Sequence, residues 1–201
     1  MLLTIYQYQL YNKSILNYAI NEWHLQLLND IGIMSEEKLS IDSLMDVEKD
    51  MFNEDLVCIN PRVKDSFEMI SKLSDLLINK GLVEISFSEA IIAREKEFPT
   101  GLLFEGGINV AIPHTDSIHV KSSAVAIGIL EKEIEFIQMG SNGERVPVNL
   151  IFVLAIKDHK QIVPFLKTFV LAMQSIDLRK KLISVKSSKQ VIDLMKIAVD
   201  V

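Results

Sequence analysis

The chain has 201 residues, enough for one sizeable domain or a domain with an appendage, and its 49 % hydrophobic and 24 % charged composition supplies an ordinary globular core. A formal net charge of −6 without any basic cluster argues against a nucleic-acid-binding surface, and the single cysteine excludes an internal disulfide. No apolar run approaches the ~18 residues of a membrane span and the start lacks a basic signal region, so a soluble, cytoplasmic protein is expected.

A seam falls near residue 50. All four tyrosines and the only tryptophan lie in the first 23 residues, whereas all nine phenylalanines follow residue 50. Three lysines face eight carboxylates before the seam, against 18 basic and 19 acidic residues after it. Residues 1–50 are therefore expected to be an N-terminal helical extension, and residues 51–201 a separate domain. In the extension, Leu16, Ile20, Trp23 and Leu27 share one side of a helix that Ser14 could cap and Gly32 could follow. His24 falls on this appended segment and is expected to be exposed.

Beyond the seam, strands and helices alternate. "LVCIN" reads as a short buried strand, with Cys58 as a small core residue rather than a nucleophile. Asp65 and Glu68 form a capping-box-like start to a helix carrying Phe67, Ile70, Leu73 and Leu77, and Gly81 ends it. Ser86 and Glu89 repeat the capping pattern before a helix running to about Glu97, which Phe98-Pro99 breaks. "NVAIPH", "SSAVAIGIL", "IEFIQM" and "VPVNLIFVLAI" then read as four strands rich in Val and Ile, with "GSNGER" as the turn between the last two. Helices are expected from His159 to about Gln174, from Asp177 to Val185, and after the capping sequence Ser187-Ser188-Lys189-Gln190. The order implies a single α/β sandwich with a central mixed sheet flanked by helices, and the apolar last strand belongs at its centre.

In open α/β sheets, functional groups gather outside the carboxyl ends of the strands, and "NVAIPH" ends in a histidine. Pro113 fixes its own φ and pushes Ile112 into extended geometry, so the dipeptide delivers His114 to the rim. A neutral imidazole offers one ring nitrogen as nucleophile or base, and the other needs an acceptor, either a carbonyl or Asp116. Taken alone, the residues leave a structural histidine open, and weakly a metal site; a Ser-His-Asp hydrolase lacks its G-x-S-x-G elbow. Just upstream, Arg94 lies late on a helix, and a guanidinium matches phosphoryl oxygens in charge and geometry.

From about Met51 to the C-terminus, "AREKEFPTGL", "VAIPHTD", "HVKSSAVAIGIL", "IEFIQMG" and "VPVNLIFVLAIKD" follow one another in the order of a known family. The chain resembles the enzyme IIA domain of the phosphoenolpyruvate-dependent sugar phosphotransferase system (PTS), fructose/mannitol superfamily, and looks most like its galactitol-type branch. The resemblance implies a phosphotransferase in which His114 takes a phosphoryl group from the phosphocarrier HPr and hands it to a cysteine of the cognate enzyme IIB. From there it would reach a sugar or polyol entering through the membrane component IIC. Arg94 matches the family's arginine and would stabilise the phosphoryl group; no metal or organic cofactor is implied. Other branches place a second histidine near the start of the helix after the "LA" strand, where His159 stands a few residues early. His119 is expected in a surface or packing role. Related domains also serve as regulatory phosphosensors that control a protein partner, so regulation stands beside transport as the second reading.

Overall fold

The computed structural model describes residues 51–199. The amphipathic helix expected around Trp23 lies outside the described residues. Five strands form one mixed sheet: β1 (Phe52–Ile59), β2 (Gly101–Leu102), β3 (Asn109–Ala111), β4 (Ala124–Ile137) and β5 (Arg145–Ala155), in the spatial order β1-β4-β5-β3-β2. Pairing is parallel between β1 and β4 and between β3 and β5, and antiparallel between β4 and β5 and between β2 and β3. The helices are α1 (Ser66–Asn79), α2 (Phe87–Glu97), α3 (His159–Met173), α4 (Ile176–Ser184) and α5 (Ser188–Val199).

Period-two alternation along the central strands explains the layering. On β4, Val125, Ile127 and Ile129 point into a cluster with Phe165 and Phe169 of α3, Leu182 of α4 and Val191 and Met195 of α5. The intervening Ala124 and Ala126 face the other side, with Met69, Ile70 and Leu73 of α1 and Phe87 and Ile91 of α2. Small residues on that second face let α1 come close: a Cβ on Gly128 would lie 2.1 Å from the Met69 Cε. On the opposite face, Phe169 stacks against Phe165 at 5.9 Å and meets Phe152 of β5 edge-on at 4.7 Å. Helices thus cover both faces, and β5 is the central strand, as its apolar run predicts.

Two capping motifs form, each shifted by one residue from the usual box. Asp65 accepts from the Glu68 amide at 2.9 Å, and the Glu68 carboxylate reaches back to the Lys64 amide at 2.7 Å. Ser187 accepts from the Gln190 amide at 3.4 Å while the Gln190 side chain takes the Lys186 amide at 2.8 Å. The expected Ser86 cap does not form: its hydroxyl is 2.8 Å from His119 Nδ1, a tertiary partner that competes for it.

The strand assignments need three corrections. "SSAVAIGIL" and "IEFIQM" are one strand, because the charged Glu131, Lys132 and Glu133 between them are absorbed by a bulge. Five steps along β4 from Ile129 to Ile134 oppose two along β5, which carries the charges into solvent without ending the ladder. The first strand starts at Phe52, and its exposed Asn53, Glu54 and Asp55 fall where the register against β4 shifts between Phe52 and Val57. Gly101–Leu102 forms a strand too short to leave a periodic signal. Gly101 is required there: a Cβ would lie 2.6 Å from Val146 Cγ1 and 2.7 Å from the Ile137 carbonyl oxygen.

Candidate functional site

β3 and β5 run in parallel, so His114 after β3 and His159 after β5 leave the sheet at the same edge. The backbone at His114 is anchored: the Leu154 amide donates to the Pro113 carbonyl at 2.9 Å, and His114 pairs with Leu154 as an isolated bridge. His114 is 7 % exposed, and Thr115 beside it is also buried. This is deeper than a histidine standing on the rim, because the strand-end tether to β5 holds the ring against the sheet.

The imidazole Nδ1 is 2.9 Å from the Ile112 carbonyl oxygen. A carbonyl only accepts, so Nδ1 carries the proton and, in the neutral ring, Nε2 carries the lone pair. Of the two acceptors the sequence left open, the carbonyl is the one used. Asp116 is exposed, and its charge acts on Arg94.

Its field falls on Arg94. Burial pulls the Arg94 guanidinium below its ordinary pKa, and the carboxylates of Asp116, Glu95 and Glu97 act in the opposite sense. Arg94 sits in the last turn of α2, half-buried, with its Cζ 5.6 Å from the Phe98 ring centroid. Asp116, whose field acts on Arg94, is two residues past His114. His159 is the exposed first residue of α3, whose start is capped by Asp158 accepting from the Lys160 amide at 3.0 Å. His119 is half-buried and held to Ser86, as a packing role predicts.

Neighbouring loops are laced to this rim. The Glu84 amide donates to the His119 carbonyl at 2.8 Å, and Val83 and Val120 form an antiparallel bridge. Lys157, leaving β5, donates from its ammonium to the Val120 carbonyl at 2.9 Å and from its amide to Ser123 Oγ at 3.0 Å. Sequence reasoning gave Lys157 no part, and it missed Glu95, a 6 % exposed carboxylate inside the quoted "AREKEFPTGL". Glu95 accepts from the Thr100 amide at 2.9 Å and the Thr100 hydroxyl at 2.8 Å. Desolvation raises its pKa to about 7 against the opposing pull of those bonds and of Arg94. The buried signal was a glutamate followed five residues later by a threonine at a helix-breaking turn.

Among the described residues, no group of three His, Cys, Asp or Glu side chains could hold a metal ion, and no helix is long and apolar enough to cross a membrane. An open recess of about 850 Å³ between residues 60–67 and 130–137 contains neither His114 nor Arg94.

Residues 50–197 match the family described as phosphoenolpyruvate-dependent sugar phosphotransferase system, EIIA 2. The chain belongs to this family. This EIIA domain is a phosphotransfer component of the PTS, as its sequence motifs imply. It is 30 % identical over 125 residues to the galactitol-specific EIIA component of Escherichia coli (strain K12), covering 62 % of this chain and 82 % of that one. It is also 30 % identical over 106 residues to the transcriptional regulator ManR of Bacillus subtilis (strain 168), covering 53 % of this chain but 15 % of the regulator. In fold it is similar to enzyme IIA of the E. coli mannitol system, solved in complex with phosphorylated enzyme IIB. The TM-score is 0.60 at 18 % identity, covering 72 % of this chain and 96 % of that one.

Proposed function

We propose that His114 accepts the phosphoryl group from phospho-HPr and passes it to a cysteine of a cognate IIB component, in the uptake of a galactitol-like sugar or polyol through a membrane component IIC. The observation that carries this reading is the Nδ1 bond to the Ile112 carbonyl, which leaves the lone pair on Nε2. That lone pair forms the new N–P bond as the donor's N–P bond breaks in line, and the reverse exchange delivers the group to a thiolate. Nε2 is covered in the conformation described, so the donor's approach must turn the ring or the groups over it outward.

Arg94 supplies the positive charge that the transferred group needs, and its half-buried setting strengthens the attraction relative to water. Its charge also opposes that of Asp116, which acts on it. His159 shares the rim from the start of α3 and is assigned an assisting role in transfer. Identity to a galactitol-specific component supports the substrate class, and the mannitol IIA–IIB complex supports the partner.

Incubation with phosphoenolpyruvate, enzyme I and HPr, followed by mass spectrometry of acid-labile phosphate, tests the reading. Label on His114 that discharges to IIB is the expected result, and label on another residue overturns the assignment. The similarity to ManR favours one second reading, in which the same phosphorylation controls a protein partner instead of transport. A phosphorylated domain that never discharges to any IIB would select it.

A further inference from the structure

Glu95 and Thr100 close a small ring across the turn from α2 to β2, with both carboxylate oxygens committed to one residue. Inside the ring lies Phe98, whose amide donates to the Arg94 carbonyl at 2.6 Å and whose ring lies 5.6 Å from the guanidinium. Next after Thr100, Gly101 pairs with Ala111 on β3, three residues before His114. The clamp therefore spans the short chain segment that leads from the arginine to β2, the strand paired with the histidine strand. Burying a carboxylate is a costly way to close a turn, and the helix break already follows from Phe98-Pro99.

We propose that Glu95 is a positioning residue for phosphoryl transfer: through Thr100 it holds the turn that sets the Arg94 guanidinium against the rim of His114. This rests on the assignment of Arg94 and His114 above. Electrostatic stabilisation depends on a charge held in place before the reaction, and an ångström of drift costs up to ~100-fold in rate. Glu95 touches no phosphoryl group; it acts on Arg94 through the backbone and Phe98. The hydrogen-bonding shape of the clamp, rather than the charge of Glu95, does the holding. A glutamine can keep it, its carbonyl accepting from the Thr100 amide and its amide donating to the hydroxyl oxygen.

The test uses the full chain and purified phospho-HPr, with kcat and KM measured for the wild type, Glu95→Ala, Glu95→Gln, Thr100→Val and Thr100→Ser, each checked for folding by circular dichroism. Glu95→Ala and Thr100→Val are expected to lower kcat roughly 10- to 100-fold with KM for phospho-HPr unchanged, because the docking rim is untouched. Glu95→Gln and Thr100→Ser are expected to recover most of the rate, and the recovery in Glu95→Gln is one that a role for the charge would not allow. If Glu95→Ala does not fold, the near-isosteric Thr100→Val decides. A folded Glu95→Ala or Thr100→Val at wild-type kcat overturns the proposal, as does Glu95→Gln as slow as Glu95→Ala. A wild-type chain that takes no phosphate on His114 instead refutes the functional assignment, and the positioning role falls with it.

Discussion

At the scale of single residues, three side chains answer to different physics. His114→Gln retains a polar group of similar size in a buried position yet lacks the nucleophilic nitrogen, so phosphate incorporation should vanish while the far-ultraviolet spectrum is kept. Undiminished labelling of that variant would remove His114 from the mechanism. Arg94→Lys keeps the charge but loses the planar fork, so transfer should slow roughly tenfold without loss of folding. Glu95 predicts a pH effect on stability. Its pKa is raised from 4.5 to about 7, so the native state holds a proton that the unfolded chain releases between those values. The stabilisation from native-state proton uptake is full below about pH 4.5 and is lost as pH rises through about 7, on the order of 3 kcal/mol in all. Urea unfolding of wild type and Glu95→Gln at pH 5 and pH 8 reads this directly. The wild type should gain on the variant at the lower pH, and a difference independent of pH would contradict it.

At the scale of elements, the site depends on short pieces whose geometry is set by their neighbours. β2 has two residues, yet it joins α2 to the histidine strand and docks on the β4–β5 hairpin, where the Met139 amide donates to the Gly101 carbonyl at 2.8 Å. Gly101→Ala would push a methyl into Val146 and the Ile137 carbonyl. Backbone cannot yield as a flexible side chain can, so a loss of about 1–3 kcal/mol is expected, seen as a lower urea midpoint. An unchanged midpoint would mean that the hairpin yields freely. Arg179 illustrates the same dependence in α4. Buried, and with no carboxylate bonded to it among the described residues, it donates to the Met173 carbonyl at the end of α3 and to the Glu105 carbonyl, and its guanidinium lies 4.7 Å over Phe104. The helix-end dipole and two carbonyls take the place of a counterion.

At the scale of the whole molecule, the seam in composition lies beside the first strand of the sheet, β1. Met51 is buried, and Phe52 pairs with Val125 at the first register position of β1 and β4. A chain beginning at Met51 should therefore keep the sheet and take phosphate from phospho-HPr. Removing residues 1–50 should leave the chemistry intact while altering stability or association, which analytical ultracentrifugation would register. A folded shortened chain that takes no label would put part of the site before Met51.

The sequence by itself determined the layers, the central place of β5 and the histidine at a strand end. These follow from local rules: apolar periodicity, a proline that fixes one φ, and capping residues three apart. It did not determine that two strand-like runs are one bulged strand, since "EKE" breaks the apolar pattern whether or not the ladder continues. Nor did it show that Ser86 abandons its helix for His119, or that Glu95 closes on Thr100. Ser86 takes a partner 33 residues away over its own helix, and Glu95 one five residues on, at a turn that only packing buries. Desolvation makes an unmet polar group costly only once the chain has packed, so the partners of Ser86, Glu95 and Arg94 were settled by tertiary structure alone.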